Sequence, residues 1–226
     1  MDVYDPGVVD NGVVARPTAQ QWLHAALRDR VGPALRSRGF KGSAPAWTLT
    51  HPSGDRAIVN VQSSDASSSQ EVMFTVNTSV IPRAWWRWIN HELGTSESRP
   101  AKQYHGLCRQ RLNAQLQQAS SRPEWWSVID EGSAIRACDD VVNQLDHGRL
   151  QELQRLLQPG SVLDAARSGR LPGATYDTRG VLAVLLTDKG SSDELDKLLT
   201  ELETLVDSRL RSTFWPIMQW CREVIN

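Results

Sequence analysis

Two stretches decide the fold: Ala57-Ile58-Val59-Asn60-Val61-Gln62-Ser63 and Val72-Met73-Phe74-Thr75-Val76-Asn77-Thr78-Ser79-Val80. Side chains along a β-strand point alternately to opposite faces. Val59 and Val61 therefore share one side of the first stretch, and Val72, Phe74 and Val76 one side of the second. Asn60 and Gln62, and Thr75, Asn77 and Ser79, fall on the other sides. The pattern predicts two strands with an oily face and a face of amides and hydroxyls. The serine-rich run from Ser64 to Gln70 reads as the loop between them, and Pro82 closes the second strand. Upstream, Trp47-Thr48-Leu49-Thr50-His51 alternates in the same way and turns through Pro52-Ser53-Gly54-Asp55. Strands this close in sequence, joined by short loops, pair antiparallel.

Moving toward the N-terminus, residues from about Ala19 to Arg38 read as a helix. Thr18 with Gln21 has the spacing of a capping box. Trp22, Leu23, Ala26, Leu27, Val31, Ala34 and Leu35 make one apolar face at helical spacing. Pro33 removes one backbone donor and is expected to kink this helix, which Gly39 ends. Residues 1–16 read as a tail or, around Asn11-Gly12, a hairpin.

Moving toward the C-terminus, Arg83 to Asn90 reads as a helix, Tyr104 to Leu116 as another, and Trp126 to Ile129 as a short extended piece. Beyond residue 132 the pattern is helical throughout. Ser133 is expected to cap the first of these helices, which stops near Gly148. Leu150, Leu153, Leu156 and Leu157 carry the next, ended by Pro159-Gly160. Thr178 opens a helix that ends at Gly190. Ser191 with Glu194 is read as a capping box for a long leucine-striped helix, and Pro216 as the first turn of the last one. The expectation is an α+β fold: a small antiparallel β-sheet packed against an N-terminal helix, followed by a helical C-terminal lobe. The division expected is 1–16 as a tail or hairpin, 17–130 as the sheet domain and 131–226 as the helical lobe.

At 226 residues, 40% hydrophobic and 23% charged, the composition is that of an ordinary globular chain. The formal net charge of −1 exerts no global pull toward nucleic acid or anionic lipid. Residues 1–122 carry 14 Lys and Arg against 9 Asp and Glu, and residues 123–226 carry 11 against 17. The resulting +5 and −6 suit two lobes packed together. Cys108, Cys138 and Cys221 are odd in number and widely spaced, as expected of reduced thiols. The N-terminus lacks the basic start and apolar run of a signal peptide, and no stretch approaches a membrane span. A cytoplasmic location is expected.

The motifs Leu35 to Gly39-Phe40-Lys41, Val59-Asn60-Val61-Gln62 and Phe74-Thr75-Val76-Asn77 resemble an uncharacterised bacterial family, the "domain of unknown function 4304". The resemblance runs from Trp22 to Val80, with an echo through Arg111-Leu112 and Trp125-Trp126 into the following helices. The serine-rich loop and the short basic content after Phe40 depart from the family pattern. The resemblance implies a fold and no mechanism.

Asn60, Gln62, Thr75, Asn77 and Ser79 are the foremost candidate binding residues. Amides both donate and accept, so neighbouring strands can present them to a peptide, a sugar or a nucleobase edge. The same residues also suit the wet face of any antiparallel sheet, or a face covered by the C-terminal helices with its amides satisfied internally. Arg83, Trp85, Trp86, Arg87 and Trp88 interleave indoles with guanidiniums. That arrangement can stack single-stranded bases, or the indoles can fill the seam between sheet and helices. His105 and Cys108 are three apart, a metal-binding spacing on a helix, but a closed zinc site needs four ligands and only distant His91 and Cys138 are available. No motif surrounds a Cys108–His105 dyad. Asp139 and Asp140 are adjacent, so on a helix they diverge. No catalytic residue, metal site or cofactor is assigned. The leading expectation is a non-catalytic binding protein recognising a protein or peptide partner. Single-stranded nucleic-acid binding through the Trp and Arg helix is the alternative, and a hydrolase-type enzyme comes third.

Overall fold

A computed structural model describes residues 17–114, 124–173, 176–205 and 211–225. The hairpin considered around Asn11-Gly12 lies outside them. Helix α1 (Ala19–Ala26) starts at the capping box expected: the Gln21 backbone N–H donates to Thr18 Oγ1, and the Thr18 N–H donates to Gln21 Oε1 at 2.8 Å. It continues without interruption into a π-helical turn, Leu27–Val31, and then α2 (Gly32–Ser37). Pro33 follows directly on this wide turn, and the turn is the local irregularity through which the continuous helix takes in a residue with no N–H. Leu23, Leu27, Val31 and Leu35 are all at most 1% exposed. Burying each stabilises the fold by about 1.5–3 kcal/mol before entropy is counted.

The strands are β1 (Lys41–Ser43), β2 (Ala46–Thr50), β3 (Arg56–Ser63), β4 (Val72–Ile81), β5 (Cys108–Leu112) and β6 (Trp126–Val128). Among the described residues they form one antiparallel sheet in the order β1-β2-β3-β4-β5, and β6 pairs with the start of β4 alongside β5. The register sets Asn60 opposite Asn77, Gln62 opposite Thr75 and Val61 opposite Val76. The three strands read from sequence are present, and their odd and even positions segregate as the alternation requires.

The residues after Tyr104 correct the sequence reading. No α-helix covers 104–114. A 3-10 turn (Gln103–His105) leads into β5, while 115 and 116 lie outside the described residues. The physical reason lies in β4, which needs a partner on its far flank. Cys108 and Leu112 face the oily side of the sheet and Arg109 and Arg111 the other, a period of two.

Helix α3 (Arg83–Glu92) follows Pro82, and α4 (Glu131–Gln144), α5 (Leu150–Leu156), α6 (Ser161–Arg167), α7 (Thr178–Leu186), α8 (Asp193–Leu205) and α9 (Arg211–Ile225) complete the chain. Three expectations are corrected. Asp130, not Ser133, caps α4: its carboxylate accepts the Ser133 N–H at 2.7 Å, and Ser133 returns the bond as the third residue of the box. Ser192, not Ser191, caps α8, because Glu194 is turned away to pair with Arg167. Pro216 falls inside α9 rather than in its first turn. Helix α6 lies within the stretch read as helical throughout, where its own bounds were not delimited. The stop near Gly148 is present as non-helical backbone at His147 and Gly148.

Helices α1, α4 and α5 pack on the oily face of the sheet. The tryptophan of β6 joins this layer: Trp126 stacks on Phe74 at 5.3 Å, and its indole N–H donates to Asp140 at 2.8 Å. One contiguous core runs from Ala19 to Cys221 through sheet and helices alike. No helix among the described residues is long and apolar enough to cross a membrane.

Candidate recognition face of the sheet

The second face of the sheet is built in rows. Ala46, Asn60, Asn77 and Arg111 lie side by side across β2 to β5, with Thr48, Ile58, Ser79 and Arg109 in the next row. Strand β4 is buried along its whole length, on both faces, so its three candidate residues do not meet solvent. Thr75 Oγ1 donates to the Leu112 carbonyl at 3.2 Å. Asn77 is 6% exposed: its amide donates to Gln62 Oε1 at 2.9 Å, and its Oδ1 accepts from Arg111 Nε at 3.2 Å. Ser79 is fully buried and its hydroxyl has no partner. The two candidates on β3 differ. Gln62 is exposed, and Asn60 is half-buried with its amide donating to the Pro45 carbonyl at 3.3 Å.

What covers β4 is the segment between α3 and β5. Gly106 comes so close that a Cβ there would lie 2.4 Å from the Ser79 Cβ. The following Leu107 N–H donates to the Val80 carbonyl at 3.0 Å. The tryptophans of α3 hold this segment in place. Trp85 donates its indole N–H to the His105 carbonyl and Trp86 to the Glu97 carbonyl, both at 3.0 Å. Arg56 and Arg99 lie over the Trp86 rings at 5.4 and 5.0 Å, and Arg99 Nε donates to Asn90 Oδ1 at 2.7 Å. Trp85, Trp86 and Trp88 are thus 2%, 2% and 4% exposed and present no open ring for a base. Arg87 is half-buried, 4.0 Å from Asp188 and stacked over Trp220 at 5.9 Å.

His105 and Cys108 do not converge. Cys108 opposes Val80 on the helix-covered face, whereas His105 sits on the turn that lies over the other face. Burial pushes the Cys108 thiol up to about 11, and the Cys138 and Cys221 thiols to about 12. Burial, and then the charges of Arg99 and Lys102, lower the His105 pKa; its Nδ1 accepts the Lys102 N–H at 2.9 Å. Among the described residues no three His, Cys, Asp or Glu side chains are grouped to hold a metal ion.

The open part of the face is a cleft of about 540 Å³ between the β1–β2 hairpin and the covering segment. Thr48, Ile58 and Asn60 line it from the strands, and Lys102, Gln103 and Tyr104 from the opposite wall. Tyr104 is 61% exposed. Lys102, Gln103 and Tyr104 do not stand out in the sequence, where the run from Tyr104 reads as helix. The alternation of Cys108, Gln110 and Leu112 with Arg109 and Arg111 is the signal that reveals them.

A family model described as Domain of unknown function (DUF4304) matches residues 31–158. The chain belongs to this family. The DUF4304 match takes in the whole sheet, the segment that covers β4, and the chain through α5, while α1 and everything from α6 onward lie outside it. No curated protein and no solved structure matches the chain.

Proposed function

We propose that this protein is a non-catalytic binding protein that takes a peptide segment of a protein partner into the cleft on the second face of its sheet. The supporting observation is the cleft itself, with the Asn60 amide in its wall, Ile58 as apolar floor and Lys102, Gln103 and Tyr104 opposite. Asn60 and Gln103 can each donate to and accept from a peptide backbone. Tyr104 offers a large, rigid contact at small entropic cost, the kind of residue that anchors interfaces. Gln62 extends the same polar surface past the end of β2, which stops opposite Asn60.

The reading is tested by isolating a stoichiometric partner with the full chain. The partner is then challenged with a variant carrying Asn60→Ala, Gln62→Ala and Tyr104→Ala. These side chains are exposed or half-buried, so the fold is expected to survive and the partner to be lost. Retention of the partner by the folded triple variant refutes the proposal.

A further inference from the structure

A second opening lies on the opposite side of the β1–β2 hairpin, between that hairpin and the helix formed by α1, the π turn and α2. It is a groove of about 400 Å³ lined by Gln21, His24, Arg28 and Arg36 from the helix, and by Ser43 and Trp47 from the hairpin. No carboxylate lines it among the described residues. Two of its donors are without acceptors. Trp47 is 1% exposed, and its indole N–H is buried with no hydrogen-bond partner. Leaving such a donor unmatched costs about 1–3 kcal/mol. Among the described residues the Arg36 side chain makes no ion pair or hydrogen bond. Its guanidinium lies against the bare backbone of Gly32, where a Cβ would come within 3.1 Å of both terminal nitrogens. Arg28 is already engaged by its neighbour Asp29 at 2.7 Å, which leaves Arg36 as the unmatched arginine of the groove among the described residues.

We infer that this groove is a binding site for an acidic peptide of a partner protein, with a carboxylate seated between the Arg36 guanidinium and the Trp47 indole N–H. The donor set selects an acceptor with negative charge, since a carboxylate accepts and cannot donate. The extent of the groove favours a chain over a small anion. Its helical wall runs from Gln21 to Arg36, roughly 20 Å at 1.5 Å per residue. About six residues of extended peptide span that length. This site shares Ser43 and Ala44 of the hairpin with the cleft on the sheet face, but neither Arg36 nor Trp47 lines that cleft.

The test uses the full chain and a fluorescein-labelled heptapeptide of alternating Asp and Val, with an alternating Asn and Val peptide as its uncharged match. Anisotropy titration at low salt is expected to saturate with the Asp peptide and to give at least tenfold weaker binding with the Asn peptide. Arg36→Gln, on an exposed side chain, is expected to weaken the Asp peptide roughly tenfold, the loss of one charge-assisted hydrogen bond. Trp47→Phe keeps the ring and removes the N–H, and is expected to weaken it several-fold; should that variant fail to fold, Arg36→Gln decides. Tyr104→Ala, in the other cleft, is expected to leave this binding unchanged. Equal affinity for the two peptides, no effect of Arg36→Gln, loss of binding in Tyr104→Ala, or displacement of the peptide by an equal concentration of succinate would each overturn the inference.

Discussion

Thr78→Val tests how the helical lobe is fastened to the sheet. Thr78 is fully buried in the middle of β4, on the helix-covered face. Its hydroxyl donates to the Gln110 carbonyl at 3.2 Å and accepts from Arg149 Nε at 2.7 Å. Arg149 stands just past the break at Gly148 and is 5% exposed. Its Nη1 pairs with Glu152, and its Nη2 has no partner. Valine keeps the shape of threonine and removes the acceptor. A hydrogen bond from a charged donor contributes about 1.5–3 kcal/mol and a neutral one about 1 kcal/mol. The buried methyl that replaces the hydroxyl returns about 0.8 kcal/mol. The expected loss is therefore about 2–3 kcal/mol, although no volume changes. Thr78→Ser makes the opposite cut, keeping the hydroxyl and deleting a methyl, and should cost about 1 kcal/mol. Urea unfolding with an unchanged m-value reads both numbers. In an Arg149→Met background the guanidinium is gone, so Thr78→Val should cost under about 1 kcal/mol more. If Thr78→Val costs no more than Thr78→Ser, or costs the same with and without Arg149, the hydroxyl is not the fastening and the reasoning fails.

Three further outcomes follow from the geometry. Gly106→Ala forces a Cβ to within 2.4 Å of Ser79 and should lift the covering turn at a cost of about 1–3 kcal/mol, seen as faster hydrogen exchange at the Leu107 amide; unchanged exchange would mean the contact is not tight. His105 has its pKa lowered in the fold, so as pH falls below about 7 the unfolded chain binds the extra proton first and stability falls with pH; His105→Asn, which keeps an acceptor for the Lys102 N–H, should flatten that part of the stability curve. All three thiols are buried and pushed up, so none should react with an aromatic disulfide at about pH 8 in the native protein, and three should react after denaturation.

The sheet was legible because Val59, Val61, Phe74 and Val76 alternate with polar residues, and alternation has one structural meaning. The same rule could not tell that β4 is covered on its polar side as well, since Thr75, Asn77 and Ser79 look alike whether they meet water or each other's partners. Cover depends on Gly106, 25 residues beyond the end of β4, and on the indoles of Trp85 and Trp86, whose bonds reach to His105 and Glu97 rather than to neighbours in sequence. Strand β5 was hidden because Cys108 to Leu112 carries two arginines and a glutamine and lacks the β-branched residues that advertise a strand. The cleft wall at Lys102 to Tyr104 was lost with it. Helix starts were misplaced by three residues at Ser133 and by one at Ser191, where neighbouring capping residues compete and a tertiary pair such as Arg167 with Glu194 chooses among them.

The wide turn at Leu27–Val31 has a bearing on which part of the first helix is dispensable. Leu23, Leu27, Val31 and Leu35 recur at strict intervals of four, and in a regular helix of 3.6 residues per turn each interval drifts about 40°, so the last would stand about 120° from the first. The extra residue in the π turn absorbs that drift and keeps all four inward. Excising one surface residue between Leu27 and Val31 would leave intervals of four, three and four, which an unbroken helix already serves. The hydrophobic stripe thus has no need of the insertion. What the insertion changes is the outward side, where Arg28 and Arg36 stand with the Arg36 guanidinium laid over the buried Gly32, and a shortened chain would lose that arrangement while keeping its interior.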